Sequence, residues 1–443
     1  MIRNNIIIMI VTFFNMSLVI AASVGPENLW QRTPRILNND DWERGTINFL
    51  SRRKRSSIND DINLQLNAFG KNIYLNLQEK ENTLYSSATP VHQLYSNSLM
   101  SQTIKIKGPN IQRKIYEDSQ NRASFVLDTL PNGRRIIQNG YIGSENLTIS
   151  ADYSLLLEQS SILLNSWNTP STNTYIFRRV QHNNYPFANP IELNYYNYRV
   201  PSKYNNNIQI PSTIYLEILV IIDYELFTRV GPNQILTYVL TFWNQVDTLY
   251  RSLDQPKYKL NIAGIVLPMD PVVLEYFSKD SNGRWYSESI SYHTLVTENG
   301  KWLFKSQELL PLESYDIAVT MTPRQEEPIA VSPNEYRATV GISALNGACL
   351  IDHRYGQTHS VAIILDDGNF SGVQTAAHEI GHLLGSRHDK YPCPESDGYI
   401  MAPSYSSTEN RFKWSRCTLR DFAYFLSWFN NWQSEPGLII EID

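Results

Sequence analysis

Three histidines and a glutamate lie close together in residues 378–389, which read HEIGHLLGSRHD. The first two histidines, His378 and His382, are four residues apart. On a helix such side chains point to the same side, so both imidazoles can bind one metal ion. Glu379 follows the first histidine, and a carboxylate beside the metal suits a general base acting on metal-bound water. The segment therefore predicts a catalytic metal site.

A third ligand is predicted just after the helix. Gly385 can adopt positive φ without a steric penalty, so it can end the helix and turn the chain back toward the metal. His388 then becomes a reachable ligand, and three protein ligands leave the fourth position of a tetrahedral zinc open to water. The alternative is a helix with solvent-facing or buried structural histidines. All five fixed positions of H-E-x-x-H-x-x-G-x-x-H are present, which argues against that alternative.

The segment resembles the zinc signature of the metzincin peptidases, and Asp389 after the third histidine resembles the reprolysin (adamalysin) family among them. Residues 400–403, Ile-Met-Ala-Pro, resemble the Met-turn that runs beneath the metal, with Met401 as the packing residue. The resemblance implies a zinc endopeptidase. Zinc would polarise the scissile carbonyl and activate its water, while Glu379 takes the water proton and passes it to the leaving amine. The alternative from another class is a non-catalytic secreted zinc-fold binding protein, and the presence of Glu379 argues against it.

The elements that must position these residues follow an α/β pattern. Buried strands are predicted at 215–223, 259–267, 316–322 and 360–366, and helices at 234–253 and 371–384. Residues 276–305 form an insertion without a predicted role. Residues 338–345 resemble the edge strand of the family's cleft, to which an extended peptide can add, and a core strand is the alternative. The predicted fold is α/β, a metzincin-type catalytic domain with a twisted mixed sheet, a central zinc-binding helix and a small C-terminal subdomain.

The chain is predicted to contain three segments. Residues 1–22 are interpreted as a signal peptide, with Arg3 ahead of an apolar run and small residues at the cleavage point, and a signal anchor is the alternative. Residues 23–207 contain short alternating apolar runs, which predict a β-rich domain that resembles a reprolysin propeptide. Residues 208–443 are the predicted catalytic domain.

The predicted propeptide acts as the chain's own inhibitor by covering the active site. In the family a propeptide cysteine often occupies the open zinc position, but the first cysteine here is Cys349. Inhibition must therefore use other groups or steric cover. Residues 52–55, Arg-Arg-Lys-Arg, match a processing site, and a solvated basic loop is an equal alternative. Arg178-Arg179 is a weaker candidate for processing.

All three cysteines lie in the predicted catalytic domain. A disulfide between Cys393 and Cys417 is predicted, because it would close a loop around Met401. Cys349 matches a family cysteine whose usual partner is missing. It is therefore predicted to be free or to join two chains.

Two further kinds of site are predicted from short patterns. Asn146 and Asn369 each begin a glycosylation sequon. Glu217 and Asp316 match positions that help to hold a structural calcium ion in some reprolysins, and ordinary acidic residues near strand ends are the alternative.

Composition limits the partners of the protein. The chain has 443 residues, of which 42% are hydrophobic and 18% charged, as in ordinary globular proteins. A net charge of −5 without a basic stripe excludes nucleic acid as an obligatory partner. After residue 22 no apolar run reaches the length of a transmembrane helix. We therefore predict an exported monomer that acts on extracellular proteins, and the resemblance to venom and salivary enzymes suggests a toxin.

Overall fold

The computed structural model describes residues 41–50, 61–80, 84–86, 88–96, 98–103, 112–151, 174–182, 186–193, 211–277, 291–326, 329–332, 335–337 and 339–432. The predicted signal peptide, the basic run at 52–55 and the polar stretch at 202–207, whose composition predicts a linker, lie outside these residues. The contacts divide the chain into a short unit, residues 1–42, and a large unit, residues 43–443. The predicted division of the chain into signal peptide, propeptide and catalytic domain depends on proteolytic cleavage. It therefore stays a prediction.

Within the part of the chain that the structure describes, ten strands precede residue 180. They are β1 (Trp42–Leu50), β2 (Ile62–Ala68), β3 (Lys71–Glu79), β4 (Pro90–Tyr95), β5 (Ser98–Thr103), β6 (Gln112–Asp118), β7 (Ala123–Thr129), β8 (Arg135–Ile142), β9 (Leu147–Ala151) and β10 (Thr174–Arg179). Eight of them close into a barrel in the order β1-β10-β9-β8-β7-β6-β3-β2. In β2 the buried residues Ile62, Leu64 and Leu66 alternate with more exposed ones, because successive side chains point to opposite faces. The predicted β-rich character of this region is thereby confirmed.

The remaining strands and the helices follow residue 211. The strands are β11 (Thr213–Ile222), β12 (Lys257–Pro268), β13 (Ile317–Thr322), β14 (Ile329–Ser332), β15 (Glu335–Arg337), β16 (Gly341–Ser343), β17 (Ile351–Asp352), β18 (Gln357–Thr358) and β19 (Val361–Leu365). The α-helices are α1 (Tyr224–Val230), α2 (Ile235–Tyr250), α3 (Tyr292–Lys305), α4 (Val373–Leu383) and α5 (Arg416–Trp432). None of these helices combines the length and the apolar composition that crossing a bilayer requires.

Seven strands form a mixed sheet in the order β16-β19-β13-β11-β12-β4-β5. The inner strands are parallel, whereas β16 runs antiparallel to β19 and β5 antiparallel to β4. The predicted α/β class is confirmed, and β16 lies at the edge of the sheet, so the core-strand alternative for 338–345 is wrong. The sequence did not predict that β4 and β5, from the region before residue 207, extend this sheet.

Helices cover both faces of the mixed sheet. Alternate residues of β11 face opposite sides, as the period of a strand requires. Ile218, Val220 and Ile222 pack with α2 and α4, while Leu219 and Ile221 pack with α3. The stretch at 276–305, for which no role was predicted, thus supplies the helix that buries the second face.

Candidate metal centre and cleft

Helix α4 carries the first two histidines and the glutamate of the signature. All of its residues are buried, and the Asp366 carboxylate accepts the backbone N–H of Gly372 just before its first turn, at 3.0 Å. The helix ends before Gly385, which adopts a φ of +93°. The glycine therefore makes the turn that the sequence predicted, and the chain returns past α4 with His388.

The structure brings the three imidazoles of His378, His382 and His388 together. The Nε2 atoms of His378 and His388 are 3.1 Å apart, and the three donor atoms all lie within 4.8 Å of one another. Nδ1 of His378 is 2.7 Å from the carbonyl oxygen of Ile400, and Nδ1 of His382 is 2.7 Å from that of Ser386. Since a carbonyl only accepts, both Nδ1 atoms carry the proton and both Nε2 lone pairs are available to a metal.

This donor set fits a zinc ion. Nε2 of His382 is buried and has no hydrogen-bond partner among the described residues, which is costly unless a ligand binds it. Burial, and next the His388 imidazole, lower the pKa of His382 to about 3, and burial lowers the pKa of His388 to about 4. The rings are therefore neutral near pH 7. Nitrogens bound tetrahedrally to zinc at about 2.0–2.1 Å lie roughly 3.3 Å apart, close to the observed spacing.

Glu379 lies beside the imidazoles, and its two carboxylate oxygens differ in their hydrogen bonding. Oε2 accepts the hydroxyl of Ser343 at 2.8 Å, whereas Oε1 is buried and has no partner among the described groups. Burial raises the pKa of Glu379 to about 8, and the Ser343 hydroxyl opposes this rise. A dication at the imidazoles would favour the ionised carboxylate. Sequence reasoning missed Ser343, because one hydroxyl in a short strand carries no spacing signal.

The predicted Met-turn lies against α4. Met401 is fully buried, and a Cβ on Gly381 would lie only 2.6 Å from its Sδ atom, so the helix and the turn pack at a glycine. The Ile400 carbonyl faces the ring of His378, and the Met401 carbonyl accepts the N–H of Asp389 at 2.8 Å. The turn thus contacts both ends of the histidine cluster.

Comparison with known protein families agrees with this geometry. A family model described as metallo-peptidase family M12B, reprolysin-like, matches residues 236–389, which run from α2 to the residue after His388. Residues 236–389 of this chain are thus similar to the reprolysin family.

Several curated proteins are similar to this chain. A Bombyx mori protein named "A disintegrin and metalloproteinase with thrombospondin motifs like" is 29% identical over 451 residues, which cover 87% of this chain and 63% of that protein. Venom metalloproteinase 3 of Eulophus pennicornis is 31% identical over 222 residues, covering 48% of this chain and 50% of its own length. Venom metalloproteinase 1 of the same species is 31% identical over 190 residues, covering 42% and 40%. The chain thus spans less than two thirds of each of these relatives.

Two of the three cysteines are paired, and the third carries a single thiol. Cys393 and Cys417 form a disulfide with their Cα atoms 6.2 Å apart, and Cys349 is free. The Cys349 thiol donates to the Asp316 carboxylate at 3.3 Å, and burial raises its pKa well above the usual value. A buried, protonated thiol is a poor nucleophile.

We expect the disulfide to stabilise the region below the cleft. The double substitution Cys393→Ser and Cys417→Ser should lower the free energy of unfolding by about 3–4 kcal/mol, since the bridge closes a loop across 24 positions of sequence. Urea denaturation followed by tryptophan fluorescence measures the change. Cys349→Ser is the matched control, because it keeps a donor for Asp316. Equal stability of the double variant and the parent would contradict the prediction.

The calcium prediction gains no support from the structure. Oδ2 of Asp316 accepts the N–H of Glu217 at 2.8 Å, and Oδ1 accepts the Cys349 thiol. Both carboxylate oxygens are thus used by protein groups, and the described residues gather no set of three donor side chains around them. The predicted glycosylation of Asn146 and Asn369 stays a prediction, and both residues are half-buried.

A segment from the N-terminal half lies across the cleft. We call residues 186–192 the strap. Its Ile191 pairs in parallel with Ala344 beside the edge strand, donating to the Ser343 carbonyl at 2.9 Å and accepting the N–H of Leu345 at 3.0 Å. At its other end Phe187 donates its N–H to the Pro403 carbonyl at 2.9 Å. The strap is therefore hydrogen-bonded to both rims of the cleft.

The side chains of the strap make one buried and one exposed contact. The Phe187 ring is 5% exposed and stacks on the His378 imidazole, with ring centroids 3.9 Å apart and planes tilted by 12°. Glu192 pairs with Arg387, and these two side chains are 59% and 51% exposed. An ion pair this exposed contributes at most about 1 kcal/mol. Phe187 is thus the most buried side chain of the strap, and Ala188 and Ile191 pack against the same core while partly buried.

Proposed function

We propose that this protein is a secreted zinc endopeptidase of the reprolysin family, which cleaves extracellular proteins and is made as a zymogen. The observation that carries the proposal is the buried Glu379 carboxylate, with one free oxygen, beside three imidazoles whose Nε2 atoms converge. In this proposal His378, His382 and His388 hold the zinc, α4 is the central zinc-binding helix, and the residues after it form the small C-terminal subdomain. The names of the Eulophus pennicornis relatives support a role as a venom toxin.

Each group of residues in the site has a separate role in peptide hydrolysis. A zinc ion held by the three imidazoles would supply the Lewis acidity that polarises the scissile carbonyl and lowers the pKa of water. Glu379 takes the proton of the attacking water and passes it to the leaving amine, and Ser343 holds the carboxylate in place. The edge strand β16 binds the peptide in extended form through backbone groups such as the Ser343 carbonyl.

Digestion of denatured casein by the processed protein tests the proposal. We expect cleavage that stops with a zinc chelator and returns when zinc is added back. Protein that binds zinc and cleaves neither casein nor a mixed peptide library would favour the non-catalytic binding protein. The Glu379→Gln chain, prepared in the same way, controls for contaminating peptidases.

The strap supports the proposal of a zymogen. It uses backbone groups of the cleft that an extended substrate would need, namely the Ser343 carbonyl and the Leu345 N–H. Phe187 at the same time covers the face of one zinc ligand. In this proposal residues 23–207 are the propeptide, and the strap within them blocks the cleft sterically. Inhibition by the propeptide then needs no cysteine.

Loss of the Phe187 ring should weaken latency. In the unprocessed chain we expect Phe187→Ala to raise hydrolysis of a fluorogenic peptide on the order of 10- to 100-fold, because a buried aromatic anchor is removed while the backbone contacts stay. Tyr74→Ala, which removes a 60% exposed ring from the barrel, is the matched control and should change nothing. Full latency of the Phe187 variant would contradict the assignment of the strap.

Latency should not respond to thiol reagents. Residues 23–207 contain no cysteine, and the Cys349 thiol is buried with a raised pKa. We therefore expect an organomercurial to leave the purified zymogen inactive, as measured with the same fluorogenic peptide. Rapid activation would instead show that Cys349 controls the cleft, and the Cys349→Ser chain would then fail to respond.

A further inference from the structure

One hydrophobic core joins the N-terminal barrel and the reprolysin domain. Seven buried residues that precede the strap belong to the same cluster as the residues of α2, α4 and the mixed sheet: Leu84, Tyr85, Val91, Ile115, Val126, Tyr141 and Val180. The Tyr141 ring lies 5.9 Å from that of Phe370, and the Asn139 amide donates to Thr237 of α2 at 2.6 Å. An apolar face continuous with a domain core is typical of permanent interfaces.

The hairpin β4–β5 adds backbone hydrogen bonds to this contact. Strand β4 pairs in parallel with β12, and Val91 stands opposite Ile265. Beyond the paired residues, the N–H of Met269 donates to the Leu94 carbonyl at 2.8 Å. Without the hairpin β12 would be an edge strand with unpaired N–H and C=O groups. The sheet of the reprolysin domain is thus completed by strands from outside it.

A buried charge cluster fastens the barrel to α2. Lys80, at the end of β3, has a side chain only 5% exposed, and its ammonium lies 2.6 Å from the fully buried carboxylate of Asp247 and 2.5 Å from the Asn244 amide oxygen. On the other side Glu117 of β6 accepts from Arg251 at 2.6 Å. Charged groups from both sides thus pair across this interface. Separation would remove the 2.6 Å partner of Asp247, which would keep only Arg251 at 2.8 Å and the Leu260 N–H, and would leave Lys80 with Glu117 at 3.5 Å.

We infer that residues 43–180 stay bound to the reprolysin domain after the chain is cut and form a non-covalent subunit of the processed protein. The inference rests on the proposed processing of this chain. It separates two roles within residues 23–207, since the strap blocks the cleft while the barrel and hairpin complete the sheet. Arg178 and Arg179 lie inside β10, paired with Thr148 and Leu147, so cleavage there requires the barrel to open first.

A defined cut tests the inference. The full chain carries Glu379→Gln to prevent self-digestion and recognition sites for a sequence-specific protease at residues 183–185 and in place of residues 202–207, so that the strap is released from the barrel. After complete cutting we expect the barrel fragment and the fragment that carries the reprolysin-like domain to elute together from a sizing column at nanomolar concentration, and native mass spectrometry to give one copy of each. Fragments that elute separately would overturn the inference.

Two lysine variants test which contacts hold the complex. Lys80→Met should speed dissociation of the cut protein on the order of 100-fold, because Asp247 loses a buried partner. Lys114→Met is the matched control, because the ion pair of Lys114 with Glu79, at 2.8 Å, is about one third exposed and lies within the barrel. Dissociation of this variant should change less than about threefold. Equal rates for the two variants would contradict the role of Lys80.

The outcomes separate this inference from the proposed function. Co-elution needs no peptidase activity, so an inactive protein can still confirm the complex. If the Lys80 variant fails to fold, the cut parent chain still decides the question. Casein cleavage together with separated fragments would leave the endopeptidase proposal intact and remove only the subunit.

Discussion

Glu379→Gln is expected to lower kcat for peptide hydrolysis by about 10² to 10⁴ while the protein keeps its zinc. The amide has the shape of the carboxylate and can still accept the Ser343 hydroxyl, but it cannot take a proton from water. The imidazoles, with their Nδ1 atoms fixed by backbone carbonyls, do not depend on this side chain for their orientation. Metal content and kcat of the processed protein, measured on the same sample, separate the two effects.

Another buried glutamate provides the control for this experiment. Glu326 is 7% exposed and accepts the backbone N–H groups of Tyr292 and Thr339 at 2.8 and 3.0 Å. Glu326→Gln therefore tests the loss of a buried carboxylate away from the imidazoles, and we expect kcat to stay within a few-fold of the parent. Near-normal turnover of the Glu379 variant would sink the proposed mechanism.

Removal of His388 should have an even larger effect, because it takes away a direct ligand. Changes to groups that only orient a metal ligand already cost about 10- to 100-fold in affinity. With two imidazoles left, His388→Ala should lose most of its zinc on dialysis and with it nearly all peptidase activity. Zinc per protein chain, determined by atomic absorption after dialysis against a weak chelator, measures this directly.

His359→Ala is the matched control for the ligand variant. His359 is also largely buried, and burial lowers its pKa, but it contacts Gln357 and the Asp352 carboxylate and is not part of the imidazole cluster. We expect this variant to bind one zinc like the parent. A His388→Ala protein that stays fully loaded would show that the third ligand has been assigned wrongly.

The parts of the site that could be predicted are those encoded in local spacing. His378 and His382 are one helical turn apart, and a glycine able to take positive φ marks where α4 ends. The predicted helix at 371–384 accordingly matches α4 to within two residues at its start and one at its end. Helix α3 also carried a local signal, because its buried residues Tyr292, Leu295, Val296 and Leu303 follow helical spacing.

The parts that could not be predicted depend on contacts between distant residues. Strand β4 has only Val91 and Leu94 as aliphatic residues, and nothing in its pattern names β12 as its partner. Phe187 is the one aromatic residue of the strap, and its place on His378 is decided by the fold of the whole region. Ser343 reaches Glu379 only because β16 and α4 pack together. The hydrophobic period of a segment predicts whether it forms a helix or a strand. It does not predict which other element that helix or strand packs against.

Gly381 occupies a position that the zinc signature leaves open to any residue. In this protein a side chain at position 381 would meet Met401, because the fully buried Met401 fills the space next to the glycine. Positions 381 and 401 therefore share one fixed volume, and a larger residue at the first requires a smaller one at the second. A search for relatives becomes more selective when the two positions are scored as a pair rather than one at a time.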